Sequence, residues 1–349
     1  MKRTLLSLKR FIRKIKKIQL TRTGRYFVML MFFFCTFLIT LVLGHKREKE
    51  YESFVPITVP TETTRRYFDR ILIQTRYIDS QLPDLGMDLW GRHFDTPIAT
   101  AALSHLNNTC EHGMVELAKG AKMANAVNFC GMESYENELD DIMKAEAATV
   151  RIIKPHADNE DVFRRIKHAK ELGVFAMGMD IDHAYTWNGK YDVVEGLPMK
   201  PKTLDEIKSF VEAAGDIPFV VKGVLSVDDA MKCIEAGAKG IVVSHHHGIM
   251  PYSVPPAMVL PEIAEAVSGR AVIFADCGVE SGVDAYKLLA LGANAVCVGR
   301  ALMGPLASDK ALGVSEKIEA MTSELASICA RTGFAALNEI DDSCLYYDM

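Results

Sequence analysis

Four apolar runs in the second half of the chain each end in a side chain suited to chemistry. Ile217-Pro218-Phe219-Val220-Val221 ends in Lys222, and Ile241-Val242-Val243 runs into Ser244 and three histidines, His245, His246 and His247. Val272-Ile273-Phe274 leads to Asp276, and Val296-Cys297-Val298 leads to Gly299-Arg300. An imidazole can take a proton from a reacting hydroxyl, and an adjacent carboxylate can orient it. An arginine beside glycines suits a phosphate: the guanidinium offers paired donors, and glycines such as Gly278 and Gly299 let backbone amides approach as a nest. His245 and His247 would share one side of an extended chain, a spacing that a metal could use, but no second ligand cluster is evident and none is expected.

These residues need a scaffold that brings strand ends together. From Pro97 onward the sequence alternates short apolar runs with amphipathic stretches. The expected strands are 97–102, 124–130, 148–153, 174–180, 217–222, 239–244, 271–276 and 295–299. Between them lie expected helices at 113–123, 160–172, 203–214, 226–236, 257–267 and 280–291. In one of these, Ser226 is placed to cap the helix and Gly237 to stop it. Eight strand–helix units in roughly 250 residues is the count of a (β/α)8 TIM barrel, whose chemistry sits at the carboxyl ends of the strands. A doubly wound sheet would show an early GxGxxG, and none follows the first strand. A long helix near 314–331 and a short one near 333–340 are expected to close the chain. The irregular segment 183–202 is long enough for a substrate lid.

The chain of 349 residues is 49% hydrophobic and 24% charged, which fits one large globular domain plus an extension. Residues 1–25 hold ten Lys or Arg and no acid, although the net charge of the whole is −5. The basic excess is therefore a local feature and excludes a nucleic-acid groove spread over the fold. Leucine, isoleucine and phenylalanine recur among these bases at helical spacing, which suits an anionic membrane surface. Tyr26 to Gly44 is nineteen residues without a charge, close to the length that spans a hydrocarbon core. The expected layout is a basic cytoplasmic segment at 1–25, a transmembrane anchor at 26–44, a linker at 45–65 and a barrel domain at 66–349. A cleaved signal peptide is the rival reading of the apolar run. Positive charge before the anchor would send the barrel outward, whereas eight cysteines without a CxxC pair argue for a reducing compartment; the side of the membrane stays open.

From about Arg70 to the C-terminus the chain resembles the FMN-dependent α-hydroxy-acid oxidases and dehydrogenases, the glycolate-oxidase and lactate-oxidase family. The resemblance rests on VVKGV (220–224), GIVVSHHHG (240–248), FADCGVESGVDAYKLLALGANAVCVGRAL (274–302) and FAALNEI (334–340). It implies FMN as cofactor and a small-molecule substrate, with a homo-oligomer as an open alternative to a monomer. It implies Lys222 beside the flavin pyrimidine, Ser244 at the flavin edge, Asp276 on the ribitol chain, and Gly278, Gly299 and Arg300 at the phosphate. His246 takes the place of the base in the gap-free register, with Asp182 as its partner. A shift of one residue would promote His247 instead.

Several family positions differ here. The arginine three residues after the base, which holds the substrate carboxylate, falls at Ile249, or at Met250 in the shifted register. The tyrosine after the third strand falls at Ile153, the flavin-binding glutamine at Arg151 and a fourth-strand threonine at Asp180. The second phosphate arginine falls at Glu280. Losing a charge-assisted bond to the substrate carboxylate is worth about 1.5–3 kcal/mol. Arg151 is therefore a candidate replacement cation within the cofactor site, or a partner of Asp180. The alternatives to an active oxidoreductase are a membrane-tethered flavin protein with altered catalysis and a different phosphate-binding barrel enzyme.

Overall fold

A computed structural model of the chain describes residues 59–348 other than residue 187. Eight parallel strands form one sheet: β1 (Ile98–Thr100), β2 (Asn128–Cys130), β3 (Thr149–Ile153), β4 (Ala176–Asp180), β5 (Phe219–Val224), β6 (Gly240–Val243), β7 (Val272–Ala275) and β8 (Ala295–Val298). Their order is β1-β8-β7-β6-β5-β4-β3-β2. The barrel closes between β1 and β2 through Thr100. Its amide donates to the Val127 carbonyl at 3.0 Å, and its hydroxyl oxygen accepts from the Phe129 amide at 2.8 Å. The expected strands and the (β/α)8 architecture are therefore present.

Side chains alternate across each strand. Val150, Ile152, Val220, Val242, Phe274 and Cys297 fill the barrel interior, while Ile153, Val221, Ile241 and Val243 pack outward against helices. A hairpin of Met87–Leu89 and Arg92–Phe94, absent from the sequence expectation, closes the amino-terminal end. Its Trp90 and Phe94 rings pack against Phe175, tilted and edge-on, with centroids 5.6 Å away in each case, so the interior is a packed core and not a pore.

The surrounding helices are α1 (Val59–Asp69), α2 (Gly113–Met123), α3 (Glu138–Met143), α4 (Asn159–Glu171), α5 (Leu204–Ala214), α6 (Val227–Glu235), α7 (Pro256–Val267), α8 (Gly282–Ala290) and α9 (Arg300–Thr332). Ser226 caps α6 as expected, accepting from the Asp229 amide at 3.1 Å. α9 begins well before the expected 314, and its backbone breaks at Asp309–Lys310. The expected short closing helix is only a 3-10 turn, Leu337–Glu339.

The basic segment 1–25, the expected anchor 26–44 and most of the linker lie outside the described residues. Among the described residues no helix is long and apolar enough to cross a membrane. The expected boundary at residue 65 is too late. α1 starts at Val59, and Thr64 and Arg65 belong to the fold: Arg65 holds Asp284 through two hydrogen bonds of 2.9 and 3.0 Å. The first half of α1 reads as a linker because Thr64 and Arg65 are held by a hydrogen bond and an ion pair, while the apolar packing of the helix comes later, at Phe68.

Candidate active site

The carboxyl ends of the strands surround a cavity of about 730 Å³, within the range of cofactor and ligand pockets. Lys222 reaches it from β5, and His246 and His247 from the loop after β6. Asp276 and Gly278 reach it after β7, and Gly299 and Arg300 at the start of α9.

The loop after β6 separates the three histidines by backbone conformation. His246 and His247 both adopt left-handed backbone, with φ of 49° and 45°. The side chains therefore do not alternate as in extended chain, and His245 and His247 do not share a ligand side. His245 turns back to the hydroxyl of Thr64 in α1 at 2.7 Å. His246 Nδ1 meets Asp182 Oδ1 at 3.0 Å. His247 lies beside it, with ring centroids 5.6 Å apart. Asp182 thus contacts His246, the ring of the gap-free register.

Asp182 gets that close because β5 bulges at Gly223. A Cβ there would lie 2.5 Å from the Asp182 carboxyl carbon, and φ is +91°. Below this pair is an alternating row of charges. Asp180 Oδ2 accepts from Lys154 Nζ at 2.8 Å, and Asp180 Oδ1 lies 3.3 Å from Lys222 Nζ. Burial alone would raise Asp180, yet Lys222 and Lys154 hold it far below the ordinary carboxylate range. Burial opposes the charge on Lys222, but Asp180 and Asp182 raise it above the ordinary lysine value. Asp182 is likewise lowered against its burial, by Lys222 and His246. Asp180, Asp182 and His246 could group around a cation. Lys222 already stands there, 3.4 Å from His246 Nδ1 and 3.3 Å from Asp180.

Two sequence expectations need correction. Arg151 does not reach the cavity. Val150 and Ile152 face the barrel interior, so Arg151 faces outward, where it pairs with Glu133 beside Arg164 and Arg165 in a separate pocket. A one-residue offset on a strand exchanges its faces. The residue of β3 and its extension that enters the mouth is Lys154, and it is Lys154, not Arg151, that pairs with Asp180. Ser244 is buried beneath the cavity and spends its hydroxyl oxygen on the turn, accepting from the His246 amide at 3.0 Å.

The segment 183–202 is a hairpin: Tyr185 bridges Tyr191, and Val193–Val194 pairs with Leu197–Pro198. Val194 and His183 line the cavity, and Glu195 meets His105 Nε2 at 3.5 Å. His183 Nδ1 is held by Asp192 at 3.0 Å. Burial, with Lys154 nearby, lowers the pKa of His183.

Residues 57–214 and 203–347 match the model of the family described as FMN-dependent dehydrogenase. The chain belongs to that family. It is 36% identical over 170 residues to an L-lactate oxidase of Nostoc sp., covering 48% of this chain and 46% of the relative. It is 28% identical over 316 residues to glycolate oxidase 3 of Arabidopsis thaliana, covering 80% and 85%. The chain thus spans about half the length of the Nostoc relative. A mandelate oxidase variant with a monooxide FMN adduct superposes with a TM-score of 0.75 at 27% identity, over 83% of this chain and 92% of that one. Another mandelate oxidase structure, with (S)-mandelic acid, gives a TM-score of 0.76 at 26% identity, over 83% and 90%.

The cofactor of this FMN-dependent dehydrogenase family member is FMN, and the cavity suits it. The first turn of α9, at Gly299-Arg300-Ala301, lines one side, where helix amides favour an anion. Ala101, Ala102, Leu103 and Val279 supply apolar wall. The sequence offered Glu280 where the family has a second phosphate arginine. The structure brings in Lys317 from the second half of α9, its Nζ donating to the Glu280 carbonyl at 3.2 Å. Lys317 and Lys154 escaped the sequence reading. The first depends on the return of α9 after its break, and the second on the strand face of β3. Gly278, with φ of +76°, also admits α1: a Cβ there would sit 2.8 Å from Thr64 Cγ2.

Proposed function

We infer that the protein oxidises a small 2-hydroxy acid at C2. The contact that carries this reading is Asp182 on His246 Nδ1 at 3.0 Å, beside Lys222, at the mouth of the cavity. With Nδ1–H donating to Asp182, the other ring nitrogen is left to accept the substrate hydroxyl proton. The contact of Lys222 with Nδ1 is then proximity between a cation and a ring whose proton points elsewhere. Asp182 stays ionised and stabilises the imidazolium that forms when the proton arrives. Lys222 holds a fixed positive charge against the cofactor site. When bound, FMN supplies the acceptor for the C2 hydride. The hairpin at 185–198 covers one side of the mouth and limits water.

The test is anaerobic mixing of the FMN-loaded protein with a panel of 2-hydroxy acids. Loss of the oxidised-flavin absorbance with at least one of them is expected. A flavin that none of them bleaches would overturn the reading.

We also propose a single-pass membrane anchor at 26–44, supported by its uncharged length and the ten bases before it. The full chain should stay with membranes through an alkaline carbonate wash. Its release into the wash would refute the anchor.

A further inference from the structure

We propose that Lys154 is the specificity-determining cation that binds the carboxylate of the substrate, in place of the family arginine. The inference rests on the functional reading above and assigns the substrate-recognition side of the same cavity.

The family places that arginine three residues after the base, and here the position is Ile249, half-buried and apolar. Met250, the position in the shifted register, is 59% exposed. The outward turn of Arg151 removes the replacement expected from sequence. Among the described residues, the permanent cations lining the cavity are Lys154, Lys222, Arg300 and Lys317. Arg300 and Lys317 both belong to α9, at the phosphate end. Lys222 stands between Asp180 and His246, with its charge committed to the base and the cofactor site. Lys154 enters from the end of β3, on the other oxygen of Asp180 and beside His183, whose ring packs edge-on to His246 with centroids 4.8 Å apart.

Lys154 has donors to give. An ammonium carries three, and among the described residues its Nζ makes one hydrogen bond, to Asp180. Asp180 orients the amine, and the remaining donors serve the cavity it lines. His183 adds an acceptor: with Nδ1 on Asp192, its neutral ring leaves Nε2 able to receive a hydroxyl proton or a hydrogen bond. The arrangement fits a small anion with an adjacent hydroxyl. An ammonium binds as a point charge without the paired geometry of a guanidinium, so it accepts carboxylates over a wider range of angles.

The test compares FMN-loaded wild-type protein with Lys154→Met, Lys154→Arg and the double variant Lys154→Met/Asp180→Asn. Asp180 keeps Lys222 at 3.3 Å in Lys154→Met. The double variant removes both members of the Lys154–Asp180 pair at the cost of that counter-charge, so chemical denaturation of each variant separates lost recognition from lost folding. Calorimetric titration with oxalate reads binding without turnover, and hydroxy-acid kinetics read KM against kcat. Loss of one charge-assisted contact predicts oxalate affinity and KM worsened by roughly ten- to a hundredfold in both Met variants, with a smaller change in kcat. Lys154→Arg should retain most of the affinity. If the wild type binds oxalate and the double variant binds it equally well, the assignment of Lys154 fails while the functional reading stands. If the wild type neither binds oxalate nor is reduced by any hydroxy acid, both fail together.

Discussion

His246 Nδ1 and Asp182 Oδ1 meet at 3.0 Å although the residues are 64 positions apart in sequence. Each comes from the loop beyond a strand, Asp182 after β4 and His246 after β6, and β5 lies between them in the sheet. The contact therefore spans Lys222, the β5 residue at the same level, and sets an imidazole, a carboxylate and a cation in one row.

The row makes the roles of the histidines separable. His246→Ala and Asp182→Asn should each slow flavin reduction by about 10²–10⁴-fold, the usual contribution of a positioned general base. His247→Ala should change it far less, since Asp182 does not touch that ring. Anaerobic stopped-flow at the flavin absorbance checks this. A large loss in His247→Ala with little loss in His246→Ala would reinstate the shifted register.

Asp180 is the electrostatic keystone beneath His246. It is 2% exposed and lies against two lysines, so Asp180→Asn leaves both without their shared counter-charge. Breaking a buried pair from one side costs about 3–5 kcal/mol, and chemical denaturation should show a loss of that order. The folded-state pKa of Asp180 is depressed, so its stabilisation is complete above the unfolded-chain value, about 3.9. It is lost as pH falls through the lower folded value. The wild type should lose stability on acidification below about pH 4, and Asp180→Asn should lose less over that interval.

The barrel was legible in the chain because alternation and strand-end chemistry are local signals. Ser226, Lys222 and Asp276 stand where local pattern puts them. The faces of β3 were not legible, because Thr149–Ile153 is buried on both sides and carries no polar alternation to fix its parity. In the structure Ile152 and Lys154, and not Arg151 and Ile153, face the barrel interior and its mouth. The contribution of α1 was hidden for a different reason. The long-range partners of Thr64 and Arg65, His245 after β6 and Asp284 in the first turn of α8, lie some 180 and 220 residues away.

At the α9 end of the cavity Lys317 is the proposed counterpart of the second arginine, whose position Glu280 occupies. Its amine is partly exposed, so solvent screens it. Lys317→Ala should weaken FMN retention by no more than about tenfold, and the effect should shrink as salt is added. Equilibrium dialysis of FMN at two ionic strengths would measure both. Arg300→Ala, at the first turn of the helix, should cost more.

Gly223 gives the sharpest test of how the strand positions the site. The bulge in β5 sets it at φ +91°, and an added Cβ would fall 2.5 Å from the carboxyl carbon of Asp182 and 2.6 Å from Oδ2. Left-handed backbone disfavours alanine as well, by about 1–2 kcal/mol. Gly223→Ala must therefore shift Asp182, move the strand, or both. The proposed phosphate contacts come from the ends of β7 and β8 and from α9, away from Gly223, so FMN should still bind. Flavin reduction should fall about as far as in Asp182→Asn, because a displacement of about 1 Å in a positioning group costs on the order of a hundredfold. A Gly223→Ala protein that binds FMN and is reduced at the wild-type rate would show that the 3.0 Å contact does not govern the chemistry.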